Sequence, residues 1–399
     1  MNILYLSNCY APPDEVNVGA AARHYYHVEA LRQRGHNVSV VTAAGSTLGG
    51  QETMGRSLPE WVFVTDTKAL RGSGLFSRLR YYLGNFISTF HTVRRLPERP
   101  ELVLASVPNI LIGLQGWIFA KRWRVPLVID VRDLWADSLC AGRYGKFRWF
   151  VWLNEKLEQF IYRRAEAIYC TTEPQMTEVR KLAPRCNEIE WIPNGIDRSL
   201  FERRDENATV PDIQELRTNW HTIVLFAGKH SDYTNLDTVL SAAKLLKGES
   251  VAFVLLGGGY QKAGLQERKD REAIENVFFF DPVPKSEVYD WMRGSDILLI
   301  NYSGGQQWSR VLPNKLYDYL ACGKPIIAAV CKGEITRVVI ESEAGVCVEP
   351  EDPRALAKSV TRLRDAQFDS LKPRQYVFEK FDREQLVAKL SSVIESIGT

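Results

Sequence analysis

Apolar residues along the chain gather into short runs with helical spacing between them. ILYLS (3–7), VSVVT (38–42), LVLAS (102–106), LVIDV (127–131) and AIYCT (167–171) fall in the first half. TIVLFAG (222–228), VAFVLLGGG (251–259), NVFFF (276–280), DILLIN (296–301) and PIIAAV (325–330) fall in the second. Alternation of this kind predicts an α/β protein with two doubly wound halves built on parallel sheets. Between the two series, FERRDENATVPDIQELRTNW (201–220) loses apolar periodicity and gains charge, which predicts a linker. The expected divisions are a first domain over 1–200, the linker 201–220, a second domain over 221–380 and a final amphipathic helix over 381–399. Asp382 would cap that helix, with Gln385 completing a capping box, and the helix would pack across the domain junction.

A length of 399 residues exceeds one ordinary core and agrees with two domains. The formal charge of +3 is too small to signal a nucleic-acid binder. Its distribution says more: Lys68–Arg99 holds seven basic residues against Glu98, so this segment carries +6 and the remainder −3. The seven cysteines show no C-x-x-C spacing, which disfavours a disulfide framework or a zinc site and favours reduced, cytoplasmic thiols. MNILYLSNCY reads as a strand, not a signal peptide. The longest apolar zone, Leu102 to Ala120, is broken by Ser106, Pro108, Asn109 and Gln115 and reads as strand, turn and buried helix rather than a membrane span.

Candidate chemistry lies at strand ends. Gly19, in the small-residue run 19–22, would let backbone N–H groups approach a phosphate or sugar, or would serve tight helix–sheet packing. No G-x-G-x-x-G follows the first strand, which makes a dinucleotide dehydrogenase the least favoured reading. Lys229 in FAGKH sits just beyond a strand end, placed either to meet a diphosphate or to remain in solvent. LLGGG (255–259) supplies a turn without side chains. In VLPNKLYDYLACGKPIIAA, Pro313 opens a helix, Gly323 ends it and Pro325 blocks its continuation. The free N–H groups of its first turn form an anion site.

In their order, YAPPDEVNVGAAARHYYHVEALRQRGHNVSVVT, VIDVRDLWADSL, IEWIPNGID, VLFAGKHSDYTNLDTVLSAAK, FVLLGGG, NVFFFDPVP and LPNKLYDYLACGKPI resemble the GT-B glycosyltransferases. The resemblance is to the retaining family 4 and, within it, to the WbuB-like transferases of bacterial surface-polysaccharide assembly. It implies two Rossmann-like domains facing a cleft, with a nucleotide-sugar, UDP-linked, held mainly by the second. Lys229 would contact the pyrophosphate, as would the first turn around Asn314, Lys315 and Leu316, while Asp318 would reach the ribose and Val283 the base. Arg132 and Asp133 would lie near the reacting sugar, with an Arg132–Asp133 structural pairing as the alternative. The chain departs from the family pattern at Thr234, where a second basic residue is expected, at Arg310, in place of the first glutamate of Glu-x7-Glu, and at Asp281, in place of a glycine.

Without a D-x-D motif or a histidine–carboxylate ligand set, no metal and no other cofactor are expected, and lysine and helix N–H groups would stabilise the leaving diphosphate. The implied acceptor is a glycan or a polyprenyl-linked sugar. Residues 68–96, with Leu75, Phe76, Leu79, Tyr82, Leu83 and Phe86 at helical spacing among arginines, suit an anionic membrane surface, and RYGKFRWFVW (143–152) adds to that face. Peripheral attachment at the inner face of the cell membrane follows; a helix docked on its own domain is the competing reading. Two other functions share the architecture: a non-hydrolysing sugar-nucleotide 2-epimerase and an inactive GT-B partner subunit.

Overall fold

The computed structural model describes residues 1–11, 22–43, 58–66, 75–107, 110–134, 148–198, 201 and 210–398, with the side chains of 22 and 75–79 left aside. The chain forms two compact units. In the first, the elements run β1 (Asn2–Ser7), α1 (Ala22–Gln33), β2 (Asn37–Thr42), β3 (Val62–Val64), α2 (Leu75–Val93), β4 (Leu102–Val107), α3 (Ile110–Trp123), β5 (Leu127–Val131), α4 (Arg148–Tyr162), β6 (Ala167–Cys170), α5 (Glu173–Leu182) and β7 (Glu188–Trp191). In the second they run α6 (Pro211–Leu216), β8 (Thr222–Ala227), α7 (Leu236–Leu245), β9 (Val251–Leu256), α8 (Lys262–Arg271), β10 (Val277–Phe280), α9 (Lys285–Gly294), β11 (Ile297–Asn301), α10 (Asn314–Cys322), β12 (Ile326–Ala329), α11 (Glu334–Glu341), β13 (Gly345–Val348), α12 (Pro353–Arg364) and α13 (Leu371–Lys380). A last helix, α14 (Arg383–Gly398), closes the chain.

Both sheets are parallel, in the orders β3-β2-β1-β4-β5-β6-β7 and β10-β9-β8-β11-β12-β13. Each order reverses once, between β1 and β4 and between β8 and β11, which opens a crevice at the carboxyl ends of those strands where ligands bind in open α/β sheets. The central strands are buried on both faces, as parallel strands covered by helices must be. In the first unit one core cluster gathers Leu4, Val103, Ile129 and Ile161 on one face, and another gathers Ile3, Tyr5, Leu104 and Val128 on the other.

Two short edge strands, β3 and β13, escape the apolar-run pattern because residues at a sheet edge are only partly covered. Two expected divisions also change. The stretch read as a linker over 201–220 contains α6, whose Ile213 and Leu216 are buried, and it belongs to the second unit, which begins at Asn194. On α6 the charges of Asp212 and Glu215 are exposed, and the helix is too short to show a period. The final helix is capped by Asp382, which accepts from Glu384 N at 2.9 Å. From Gln385 onward that helix belongs to the first unit, where Leu390 and Ile394 join the core around Tyr5.

Candidate functional site

At the carboxyl edge of the second sheet, turns without side chains press against one another. Gly257 has φ +140° and Gly259 φ +152°. A Cβ would fall 2.0 Å from the Gly228 carbonyl oxygen at the first and 2.1 Å from the His230 carbonyl oxygen at the second. The β8 and β9 turns are thus fixed backbone to backbone, with Gly228 N donating to Leu256 O at 2.9 Å and His230 N to Gly258 O at 2.8 Å. Gly258 in turn faces Pro282, where a Cβ would lie 3.2 Å from Cγ, which sets the segment carrying Val283 beside the β9 turn.

Lys315 enters this cradle from α10. Its ammonium lies 4.0 Å from the centre of the Phe226 ring, and a Cβ on Gly228 would sit 2.5 Å from Nζ. Burial pulls its pKa down to about 7. Among the described residues no carboxylate or hydrogen-bond acceptor partners it. Lys229, half-buried in the adjoining turn, is also lowered by burial. His230 is fully buried with both ring nitrogens unpartnered among the described residues. Burial, then Lys262 and Lys315, hold it down at about 4. Two lysines lowered by burial thus stand beside a buried histidine held neutral at the β8 turn.

Helix α10 begins at Pro313, whose extended backbone (φ −73°, ψ 147°) serves as N-cap without a side-chain hydrogen bond, and ends at Gly323 with φ +62°. Of the three residues expected to face the diphosphate, Leu316 differs from the others. Its side chain is fully buried and its N–H already donates to Pro313 O at 3.0 Å, closing the first turn. Asp318, one turn on, is buried, accepts from the Tyr289 hydroxyl at 2.9 Å and lies 3.3 Å from Lys285 Nζ. Thr234 is buried too; its hydroxyl donates to Lys229 O at 3.0 Å or Ser231 O at 2.8 Å, so it clamps the Lys229 turn. Arg310 ends a short 3₁₀ segment, Gln306–Arg310, just ahead of α10.

In the first unit the carboxyl end of β5 carries Arg132 and Asp133. No ion pair joins them. Arg132 Nη1 lies 3.0 Å from His24 Nε2, and its carbonyl accepts from Thr171 Oγ1 and Gln175 Nε2, each at 3.1 Å. Asp133 is exposed. Behind them is a buried network that sequence reading missed. Arg23 pairs with Asp130 at 2.8 Å, Ser106 Oγ donates to Asp130 at 2.8 Å, and Tyr5 Oη stands 3.1 Å from His24 Nδ1 and 3.3 Å from His27 Nδ1. Burial raises the Asp130 carboxyl, but Arg23 with His27 and His24 together outweigh it, and the group stays well below the usual carboxylate range. The available signal was Asp130 itself, a charge inside the apolar run LVIDV. Gly19 lies outside the described residues. Among the described residues no group of histidine, cysteine, aspartate and glutamate could hold a metal. A shallow cavity of about 630 Å³, lined by Trp117, Lys121, Phe160 and Arg164, lies at the opposite, amino-terminal edge of the first sheet.

Residues 221–365 match the family "Glycosyl transferases group 1", and residues 18–195 match "Glycosyl transferase 4-like domain". Glycosyltransferase WbjE of Pseudomonas aeruginosa, named as a probable one, is 24% identical over 68% of this chain and 66% of its own length. An Escherichia coli K12 protein assigned by name to colanic acid biosynthesis, glycosyl transferase WcaI, is 23% identical over 90% of this chain and 92% of its own. Sucrose-phosphate synthase from Thermosynechococcus elongatus superimposes with a TM-score of 0.78 at 16% identity, covering 99% of this chain and 98% of that one. HepE from Anabaena, crystallised with UDP and glucose, gives 0.67 at 16% identity, covering 99% of each.

Proposed function

Because this chain is a glycosyltransferase of the GT-B fold, we propose that it moves a sugar from a UDP-sugar to a glycan or polyprenyl-linked acceptor in surface-polysaccharide assembly, with retention of anomeric configuration. The order of its motifs supports reading it as a family 4 enzyme of the WbuB-like kind. The observation that carries the donor half is Lys315, an ammonium without a counter-ion among the described residues, beside the glycine turns of β8 and β9. A diphosphate supplies the missing charge. UDP is favoured among nucleotides because HepE was crystallised with it.

The chemistry follows from where charge develops. As the bond to the anomeric carbon breaks, the diphosphate gains negative charge, and Lys315, Lys229 and the amino end of α10 meet it without a metal. The acceptor hydroxyl attacks from the face the diphosphate leaves, and a departing phosphate oxygen takes its proton, so no protein nucleophile is required. In the second unit Val283 takes the base and Asp318 the ribose; in the first, the proposed role of Arg132 and Asp133 is to act on the sugar.

Attachment to an anionic bilayer is part of the same proposal. Helix α2 turns Tyr81, Asn85, Thr89 and Thr92 inward and leaves Leu83 (50%) and Ile87 (59%) exposed, with Arg80 beside them. Helix α4 exposes Trp149 (67%) and Trp152 (56%), and both helices pack on α3. Apolar and tryptophan side chains interleaved with arginines suit an anionic headgroup layer. Among the described residues no helix is long and apolar enough to cross a membrane.

Calorimetry with UDP, GDP and ADP tests the donor half. Binding of UDP that Lys315→Met weakens is expected; failure to bind any of the three would overturn the assignment.

A further inference from the structure

The hydrogen bonds behind Arg132 run in one direction. A guanidinium only donates, so the 3.0 Å contact from Arg132 Nη1 makes His24 Nε2 an acceptor. The proton of a neutral ring must then sit on Nδ1, from which it donates to the Tyr5 hydroxyl at 3.1 Å. The hydroxyl also stands 3.3 Å from His27 Nδ1. The roles of both His24 nitrogens follow from the arginine. Tyr5 and His24 are fully buried and His27 is 2% exposed, so water cannot substitute for a missing partner.

The surroundings keep the His24 ring neutral. Burial, then Arg132, lower the His24 ring well below the ordinary histidine range; Asp130 on β5 opposes them, while His27 and Arg23 on α1 add to the lowering. Protonating His24 would set two cations face to face out of water and turn its acceptor into a donor. The backbone of Arg132 is held separately by Thr171 and Gln175. The guanidinium is therefore held by His24, with the Cys9 thiol as a second contact, and the peptide by α5.

We propose that His24, as a neutral Nδ1–H ring held in that tautomer by Arg132 and Tyr5, is the positioning residue that aims Arg132 at the carboxyl edge of β5. The catalytic part of this inference rests on the reading of Arg132 as the cation beside the reacting sugar. An arginine side chain has several rotatable bonds, and a reacting group displaced by about 1 Å loses about 100-fold in rate. His24 removes that freedom without adding charge.

Two measurements test it, and the first needs no substrate. Long-range proton–nitrogen spectra of ¹⁵N-histidine-labelled protein, with the His24 signals assigned through His24→Gln, are expected to show Nδ1 protonated and Nε2 bare at pH 7. In Arg132→Gln the pattern should shift toward the commoner Nε2–H form. A wild-type His24 carrying its proton on Nε2, or on both nitrogens, overturns the proposal. The second measurement is UDP release from whichever of UDP-glucose, UDP-galactose and UDP-N-acetylglucosamine turns over. His24→Phe is expected to lower kcat about 10- to 100-fold with KM for the donor within about twofold, and His24→Gln, which restores an acceptor, to recover most of it. Tyr5→Phe, which removes one atom, should show the same signature more weakly even where His24→Phe folds poorly. On an Arg132→Gln background His24→Phe should add nothing; additive losses would leave His24 a structural residue. An Arg132→Gln enzyme with the wild-type rate would overturn the reading of Arg132 and the catalytic half of this inference, while the tautomer pattern would still decide the geometric half.

Discussion

The Lys315 ammonium rests 4.0 Å above the face of Phe226, on an aromatic ring where a carboxylate would ordinarily stand. The ring's negative face compensates a cation only in part. The remainder shows as a pKa lowered to about 7 by burial.

A diphosphate bound at Lys315 would raise that pKa. Between pH 7 and the pKa of the complex, binding then takes up a proton, so affinity falls as pH rises from 7 to 9. Titration calorimetry at pH 8 in buffers of different ionisation enthalpy should register uptake approaching one proton; release, or no exchange, would contradict the site. Lys315→Met should weaken UDP by about 10- to 150-fold, the worth of one charge-assisted contact of about 1.5–3 kcal/mol, and abolish the uptake. The linkage sign for the unliganded protein is also fixed. The unfolded chain binds the extra proton between pH 7 and 10.5, so stability should rise with pH across that window in the wild type, and less so in Lys315→Met.

Gly257→Ala should fail at the backbone. Its φ of +140° is strained for alanine, and the new Cβ would meet the Gly228 carbonyl at 2.0 Å. A loss of about 2 kcal/mol or more is expected, with loss of UDP binding. Gly248→Ala is the control. Its φ is +89° but nothing lies within 4 Å, so it should cost only the conformational strain, about 1 kcal/mol, and leave UDP binding intact. Thermal melts with and without UDP separate the two.

Asp318 has a structural and a ligand-facing role that two substitutions divide. Asp318→Ala strands the buried Tyr289 hydroxyl and should destabilise by about 1–3 kcal/mol. Asp318→Asn keeps an acceptor for Tyr289 and should restore most of that stability. If the carboxylate also receives ribose hydroxyls, the asparagine variant still binds UDP several-fold more weakly. UDP affinity equal to wild type in Asp318→Asn would confine Asp318 to holding α9 against α10.

Sugar transfer should persist in excess EDTA, because two lysines and a helix amino end supply the charge stabilisation. A strict dependence of UDP release on added magnesium or manganese would show that the phosphate cradle is incomplete without an ion.

Co-sedimentation with vesicles tests the exposed faces of α2 and α4. Binding should rise with anionic lipid and fall with ionic strength, each arginine near the headgroups contributing about 1 kcal/mol. Changing Leu83, Ile87, Trp149 and Trp152 to serine should abolish it and leave UDP affinity unchanged. Equal binding to neutral and anionic vesicles would remove the electrostatic part of the proposal.

The strand runs, their helices and the two-fold repetition of the pattern were legible in the chain because burial on both faces of a parallel strand demands unbroken apolar runs, a local property. The start and stop of α10 were legible for the same kind of reason: Pro313 and Gly323 act on their own backbone. The division of the chain was less so. A helix as short as α6 shows no period, and only packing told that 201–220 contains structure of the second unit and that α14 joins the core of the first. Chemistry separated along the same line. Which residue types sit at strand ends and helix starts could be read directly, as for Lys229, Arg132 and Lys315. What each touches depends on residues 89 to 108 positions away. Lys315 lies over Phe226, Arg132 is aimed by His24, and Asp130 is neutralised by Arg23. Sequence alone determines hydrophobic pattern and turn chemistry because both act over a few residues; partner, charge state and tautomer were decided only when folding brought distant side chains together out of water.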